Sequence, residues 1–496
     1  MNESRRRITS VSFLLMTFTA VFAFNNIINA TASIGLSAVP TFLFATVFYF
    51  FPFALMIGEF SSANTDAESG VYSWIRTSLG DKWAFLGSWS YFFVNLFFFV
   101  SLLPQTLIYA SYTFVGHNVF GGIHGTITIS LLSIILFWLT TFVSVKGVSW
   151  ISKVTDVSGI ARILMGVGFI ILALAVYFLL KEPSAQEFSG ESVLPGANWN
   201  YLMTLAWILQ AVGGAEAVGV YVKDIKGGNK TFVKTLIISA ISIGVIYALG
   251  AAAVGLVLPA EQLQGNYSNA LFDAFAVLGN HFGISSGIMT RIVGLIMLLS
   301  AAGSLVIWTA APVKILFSEI PSGIFGKWVS RTNEEGNPTN ALILQAVVVT
   351  VLMIIPALGI GSIDTLLKTL INMTAATSLI PVLFLLVSYI VLRIKKDHLP
   401  RTFQMGGRRT GIGIGVLLLA FFIFAFLVST FPSPASLLAY FKSGTVAEGT
   451  ANPLFSLLYN VLGIVIFVGF AYVCYKRYEN KQIGGVKHDQ KEKMGK

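Results

Sequence analysis

The stretch WILQAVGGAEAVGVYVKDIKGGNK, residues 207–230, decides how the chain is read. An apolar run meets a glycine pair, Gly213 and Gly214, then one carboxylate, Glu216, and ends in lysines and more glycine. A charge at the bilayer centre costs about 2.5–3.5 kcal/mol on insertion scales. Glu216 must therefore be neutral, paired or hydrated, and the glycines beside it mark a place where a membrane helix unwinds. These facts together predict a broken transmembrane helix beside a pocket for a small solute.

The rest of the chain sets this stretch in a membrane. Of 496 residues, 55% are hydrophobic and 11% charged, and the mean hydropathy is +0.79. Soluble domains carry about 25% charged residues. Apolar runs near twenty residues recur from end to end, each able to cross a hydrocarbon core of about 30 Å at 1.5 Å per residue. Twelve spans are expected, near 10–35, 38–58, 83–110, 126–145, 153–181, 199–222, 232–258, 287–318, 340–358, 364–394, 410–431 and 454–475. The fold class is thus all-α integral membrane. One membrane domain, 10–475, is expected between tails at 1–9 and 476–496, the second polar and mobile. The RRR at 5–7 precedes a run too long for a signal peptide and lacks a cleavage site after it, so that run reads as a retained first span.

Charge placement gives orientation. Basic residues fall in alternate connections: Arg76 and Lys82, Lys146 and Lys153, Lys223 to Lys230, Lys314 to Arg331, and Arg393 to Arg409. The opposite connections hold Lys181 and Lys442 but tolerate Glu187, Glu191, Glu261 and Asp273. This asymmetry predicts both termini cytoplasmic in a cell membrane. It also explains the net charge of +10 without nucleic acid, since no basic stripe carries stacking aromatics. A lone cysteine, Cys474, gives no internal disulfide or thiolate metal cage. The five histidines lie in loops and tails without metal-ligand spacing. No phosphate-binding loop is present, nor a catalytic cluster of His, Asp or Glu at one face. No enzyme, metal or cofactor is expected; the bilayer and a small amino acid or amine are the expected partners.

A second interruption reads FAFNNIINATASIG at 22–35, placing Asn25, Asn26, Asn29, Thr31 and Ser33 within the first span. Taken singly, glycine pairs can serve helix packing and asparagines can bond between helices. Unpaired backbone in lipid costs several kcal/mol per group, so turns at this depth must face protein or a watery cavity. Breaks in spans one and six, five apart, fit an inverted repeat whose half-helix ends point at a midplane site. Half-helix N-termini suit the carboxylate of an amino acid.

Several stretches, in order, carry a family resemblance: FPFALMIGEF at 51–60, SGVYSWIRTSLGDKWAF at 69–85, GGAEAVGVYVKDI in span six, GSLVIWTAAPVKILF followed by IPSGIFGKWVSRTNEEGNPTNALI, and RTFQMGG at 401–407. Over about residues 10–475 the chain resembles the amino acid–polyamine–organocation transporter superfamily, and within it the bacterial glutamate/GABA antiporters. The resemblance implies a five-plus-five inverted repeat (a LeuT-like fold) with two extra helices, working by alternating access. It implies exchange of an external amino acid for an internal decarboxylation product, often in acid resistance. Gly213, Gly214 and Ala215 would line the broken sixth span, Glu216 would stand near the inner gate, and Trp308 beside the substrate. This chain departs from the pattern in having FNNI at 24–27 where those antiporters carry YEYP. It also has Gln210 where arginine/agmatine relatives place a tryptophan, and its C-terminal tail is too short for a plug.

Readings of single residues stay plural. Glu216 serves as a gate acceptor or proton-sensing group, as counter-ion for an amine, or as a plain cap. Trp308 is an interfacial anchor or a cavity wall holding an ammonium by cation–π attraction. Tyr91, Phe92 and Asn95 are candidates for the same cavity. Asp156 and Arg162, six residues apart, are too far for an i,i+4 pair, so each should meet a partner on another helix. Gly411 and Gly415 read as packing. Substrate binding is thus assigned to Asn25, Asn26, Gly213, Gly214, Ala215, Trp308 and Tyr91, and gating to Glu216. Glutamate/GABA, tyrosine/tyramine and agmatine/putrescine exchange all remain open, linked to a decarboxylase or deiminase pathway. A proton-coupled amino acid or polyamine symporter and a transporter-like sensor are the alternatives.

Overall fold

The computed structural model describes residues 8–494 apart from 66, 68, 197, 264–268, 322, 334–336, 358–376 and 445–451. No strand occurs among the described residues, and eight stretches are helical, long and apolar enough to cross a membrane. The first of these, Ser10–Ala63, folds as two spans, and a shorter apolar helix covers Thr339–Ile354.

Span one is α1 (Ser10–Val21) followed by α2 (Phe24–Ile34). Thr9 caps α1 by accepting the Ser12 N–H at 3.1 Å. Span two is α3 (Ala38–Ala45), a π-helical turn at Thr46–Phe50 and α4 (Phe51–Ala63). Next come the short α5 (Val71–Leu79) and the long α6 (Asp81–Phe114), α7 (Gly122–Val145) and α8 (Val148–Phe178). Beyond a four-residue α9 (Gly190–Val193), span six is α10 (Trp199–Ala211) and a 3₁₀ segment, Ala215–Asp224. Ten residues of 3₁₀ helix are unusual, since such runs rarely exceed four. At about 2.0 Å rise they reach roughly 20 Å, where an α-helix would reach about 15 Å. The short second half of the span gains that extra reach.

The remaining elements are α11 (Gly228–Val257), α12 (Ala260–Leu263), α13 (Ala270–His281), α14 (Ser286–Phe317), α15 (Thr339–Ala357), α16 (Leu379–Lys395), α17 (Arg408–Thr430), α18 (Pro434–Ser443) and α19 (Pro453–Met494). The expected start of span ten, near 364, lies outside the described residues. The polar tail expected after 475 is instead helical: α19 runs on through Tyr475 and Tyr478 to Met494. Tyr475 lies 5.9 Å from the Phe85 ring, and Lys476 pairs with Glu479 at 3.1 Å, so packing and an i,i+3 ion pair extend the helix.

The core is the bundle's centre. α14 packs along α6 and α8, while α1 lies against α8, α11, α14 and the 3₁₀ segment. Outward-facing apolar residues recur at helical spacing, as with Leu131, Ile135, Leu139 and Phe142 on α7. The same holds for Ile238, Ile241, Val245 and Leu249 on α11. Such stripes are exposed because hydrocarbon is their solvent. Gly411 and Gly415 let α17 close onto Arg393 and Ile390 of α16, the packing role read from their spacing.

Candidate functional site

Both interruptions occur where the sequence places them. Phe22 and Ala23 are extended between α1 and α2. Gly214 sits in the left-handed region, φ +104°, between α10 and the 3₁₀ segment. The two breaks meet: a Cβ on Gly214 would lie 3.3 Å from the Ala20 carbonyl oxygen.

Unwinding frees main-chain groups that lipid cannot satisfy, and one hydroxyl takes up three of them. Tyr247 Oη, from α11, accepts the Ala23 N–H at 3.0 Å and the Asn26 amide at 3.2 Å. Its own proton is shared between the carbonyls of Val21, at 3.1 Å, and Ala211, at 3.3 Å. The ring stacks on Phe42 at 4.8 Å and 3°. Sequence reasoning missed this residue, because a tyrosine in an apolar helix looks like any other packing aromatic.

Between the breaks lies a cavity of about 250 Å³. Asn25, Asn26 and Asn29 of α2 form one wall, and Tyr91, Asn95 and Tyr109 of α6 another. Gly213, Gly214, Glu216, Trp308 and Tyr49 complete the ring. Of the residues assigned to the site, Ala215 stands apart: it is fully buried and off the cavity wall. Phe92 likewise turns away, packing edge-on against Phe317 at 5.4 Å. Asn25 donates to Tyr109 Oη at 2.6 Å, leaving its carbonyl oxygen without a partner. Gln210 also lines the cavity with an unpartnered side-chain oxygen, and Trp207, one turn earlier on α10, joins it.

The glycine pair is explained by what surrounds it. Gly214 needs its positive φ, and a Cβ there would press on the Trp308 ring at 3.1 Å. A Cβ on Gly213 would meet the Tyr49 hydroxyl at 3.2 Å. The π-helical turn of span two brings Tyr49 there. Trp308 is therefore a cavity wall, its ring 6.3 Å from Tyr91 and 5.7 Å from Phe98. Glu216 is 4% exposed, and its Oε2 accepts the Gly214 N–H at 3.1 Å. It thereby caps the 3₁₀ segment while facing the cavity.

Asp156 and Arg162 each meet another helix. The Ser12 hydroxyl donates to Asp156 Oδ2 at 2.7 Å. Arg162 reaches the Phe18 carbonyl at 3.5 Å and the Ser304 hydroxyl, and it lines the cavity. A charge inside an apolar span was the sequence signal that singled out Arg162 together with Asp156.

Near the face where α4 and α16 end, Glu59 is fully buried. It pairs with Arg393 at 2.8 Å and with Arg401. It also accepts the Tyr389 hydroxyl at 2.7 Å and the Met405 N–H at 2.9 Å. FPFALMIGEF and RTFQMGG, two of the stretches that carry the family resemblance, thus hold each other across the fold.

Comparison with known proteins agrees with this architecture. The chain is 25% identical over 405 residues to an aspartate/glutamate permease, AcaP, of Lactococcus lactis subsp. cremoris, covering 80% of this chain and 82% of the relative. It is 27% identical over 424 residues to the inner membrane transporter YjeM of Escherichia coli K12, covering 80% and 84%. A glutamate/gamma-aminobutyrate antiporter of L. lactis subsp. lactis matches at 24% over 401 residues, covering 80% and 78%. The resemblance read from the sequence therefore holds at the breadth of the permeases, and the glutamate/GABA antiporters are one group among several similar ones. The amino acid permease pattern matches residues 8–444, a multi-pass membrane transporter and no enzyme, and the chain belongs to that family.

Proposed function

We propose that this chain is an amino acid exchanger of a cell membrane, both termini cytoplasmic. It carries an external amino acid inward against an internal amine or decarboxylation product by alternating access. The observation that carries this reading is the cavity of about 250 Å³, largely apolar but set with asparagines and tyrosines, between two broken helices, one of which starts uncapped on its wall. α2 begins at Phe24 and Asn25 with no side-chain cap at Ala23, and both residues line the cavity. Its first N–H groups and dipole suit an α-carboxylate. Asn25, Asn26, Tyr91 and Trp308 surround the remainder, and Glu216 gates it.

Exchange is favoured over ion coupling by where the freed carbonyls go. In broken-helix transporters such carbonyls often hold the coupling cation. Here Val21 and Ala211 share the Tyr247 proton, and the Thr19 carbonyl accepts the Ser304 hydroxyl at 3.4 Å. The gradient of the exchanged solute is then the driving force. The antiporter named among the relatives supports the same mode.

Proteoliposomes test it. Labelled amino acid should enter several-fold faster when unlabelled amino acid or amine is inside, and choline in place of sodium should change nothing. Uptake into empty vesicles that collapses with a protonophore would instead support the second reading, proton symport through the buried acid Glu216.

A further inference from the structure

We propose that Arg162 forms a second anion subsite in the cavity, selecting amino acids that carry a side-chain carboxylate. This rests on the amino acid reading above and names the substrate class of that site. Arg162 is 6% exposed and lines the cavity, so its cation is withdrawn from water. Its terminal nitrogens are held by neutral oxygens, the Phe18 carbonyl and the Ser304 hydroxyl, which fix the plane of the fork. Nε is buried and has no partner. No carboxylate of the described residues bonds to this guanidinium. A buried charge without a countercharge is costly, and a carboxylate arriving with the substrate makes the strongest kind of hydrogen bond available to it.

The other groups of an amino acid are already provided for. Its α-carboxylate goes to the uncapped start of α2 at Phe24 and Asn25. Its ammonium goes to unpartnered acceptors, Asn25 Oδ1 and Gln210 Oε1, beside the Trp308 ring. Glu216 lines the same cavity but is not among the hydrogen-bond partners of Arg162; its Oε2 accepts the Gly214 N–H. Two anion-binding features and one cation-binding set match the three charges of aspartate or glutamate. The corresponding amides leave the guanidinium unpaired.

The test compares each acid with its own amide. Thermal stabilisation of the purified chain is titrated with L-aspartate, L-asparagine, L-glutamate and L-glutamine. At least one acid should bind about tenfold or more tightly than its amide. R162Q should bring that ratio to within about twofold, the acid-to-amide ratio rather than either affinity being the readout. R162K should keep part of the ratio, because it keeps the charge but loses the fork. Amides binding as well as acids in the wild type, or an unchanged ratio in R162Q, would overturn the subsite. Should R162Q fail to fold, the wild-type ratio and R162K decide. Binding and exchange of neutral amino acids or amines alone would sink this inference and leave the exchanger standing. No binding or flux of any amino acid or amine would sink both.

Discussion

At Gly214 the chain needs both a left-handed φ and an empty Cβ position, and only glycine supplies the two together. Replacing it with alanine adds about 1–2 kcal/mol of backbone strain and drives a methyl group toward the Trp308 ring, 3.1 Å from the Cβ position. G214A should lower exchange at least as steeply as it lowers the melting temperature. G213A, with ordinary φ and the Tyr49 hydroxyl as its soft neighbour, should be the milder of the two. Equal losses in proteoliposome exchange would mean that the break does not depend on Gly214. Glu216 separates differently. In E216Q the side-chain carbonyl can still accept the Gly214 N–H, so the cap survives and the protein should fold. What disappears is an ionisable group on the cavity wall, and exchange should slow severalfold with a flattened pH profile. Wild-type rates at every pH would reduce Glu216 to a cap alone.

Helix breaks are cheap to read and hard to complete from sequence. Asn25, Asn26 and the Gly213–Gly214 pair stood out because polar or flexible residues in an apolar run have few reasons to be there. What satisfies the opened backbone was invisible, because Tyr247 lies 224 residues from Ala23 in sequence and becomes a partner only when α11 packs beside α1. Arg162 was visible, with Asp156, as a charge in an apolar span, but its cavity position depends on α8 packing against α1 and α14. Asp156, equally conspicuous, is held away from the cavity by Ser12. Y247F tests the element-scale account. It keeps the ring on Phe42 and removes the one oxygen that joins Val21, Ala23, Asn26 and Ala211. Leaving buried polar groups unpaired costs about 1–3 kcal/mol. Melting in detergent should fall accordingly, and exchange should fall with it because both breaks loosen together. A melting temperature and exchange rate equal to wild type would show that the breaks hold themselves.

Across the whole molecule the face carrying residue 8 is tied more firmly than its polar composition suggests. Ile8 bridges to Ile225, its N–H bonding the Asp224 carbonyl at 2.9 Å and its carbonyl accepting from Lys226 at 2.8 Å, so the chain before span one holds the end of span six. On the same face, Glu59 joins α4 to α16 and to the segment leading into α17. Removing one member of a buried ion network leaves uncompensated charge, which costs about 3–5 kcal/mol. E59Q would strand both Arg393, 1% exposed at its side chain, and Arg401, equally buried, with Asp397 as their remaining acid. An exposed pair is a fair control. Lys476 and Glu479 are about half exposed at 3.1 Å, and such pairs contribute at most about 1 kcal/mol. Thermal melts should therefore show E59Q well below wild type and E479Q close to it. If the two variants melted together, the Glu59 network would be no more than surface charge, and the joining of α4 to α16 would have to come from apolar packing such as Phe60 against the Tyr389 ring at 5.6 Å.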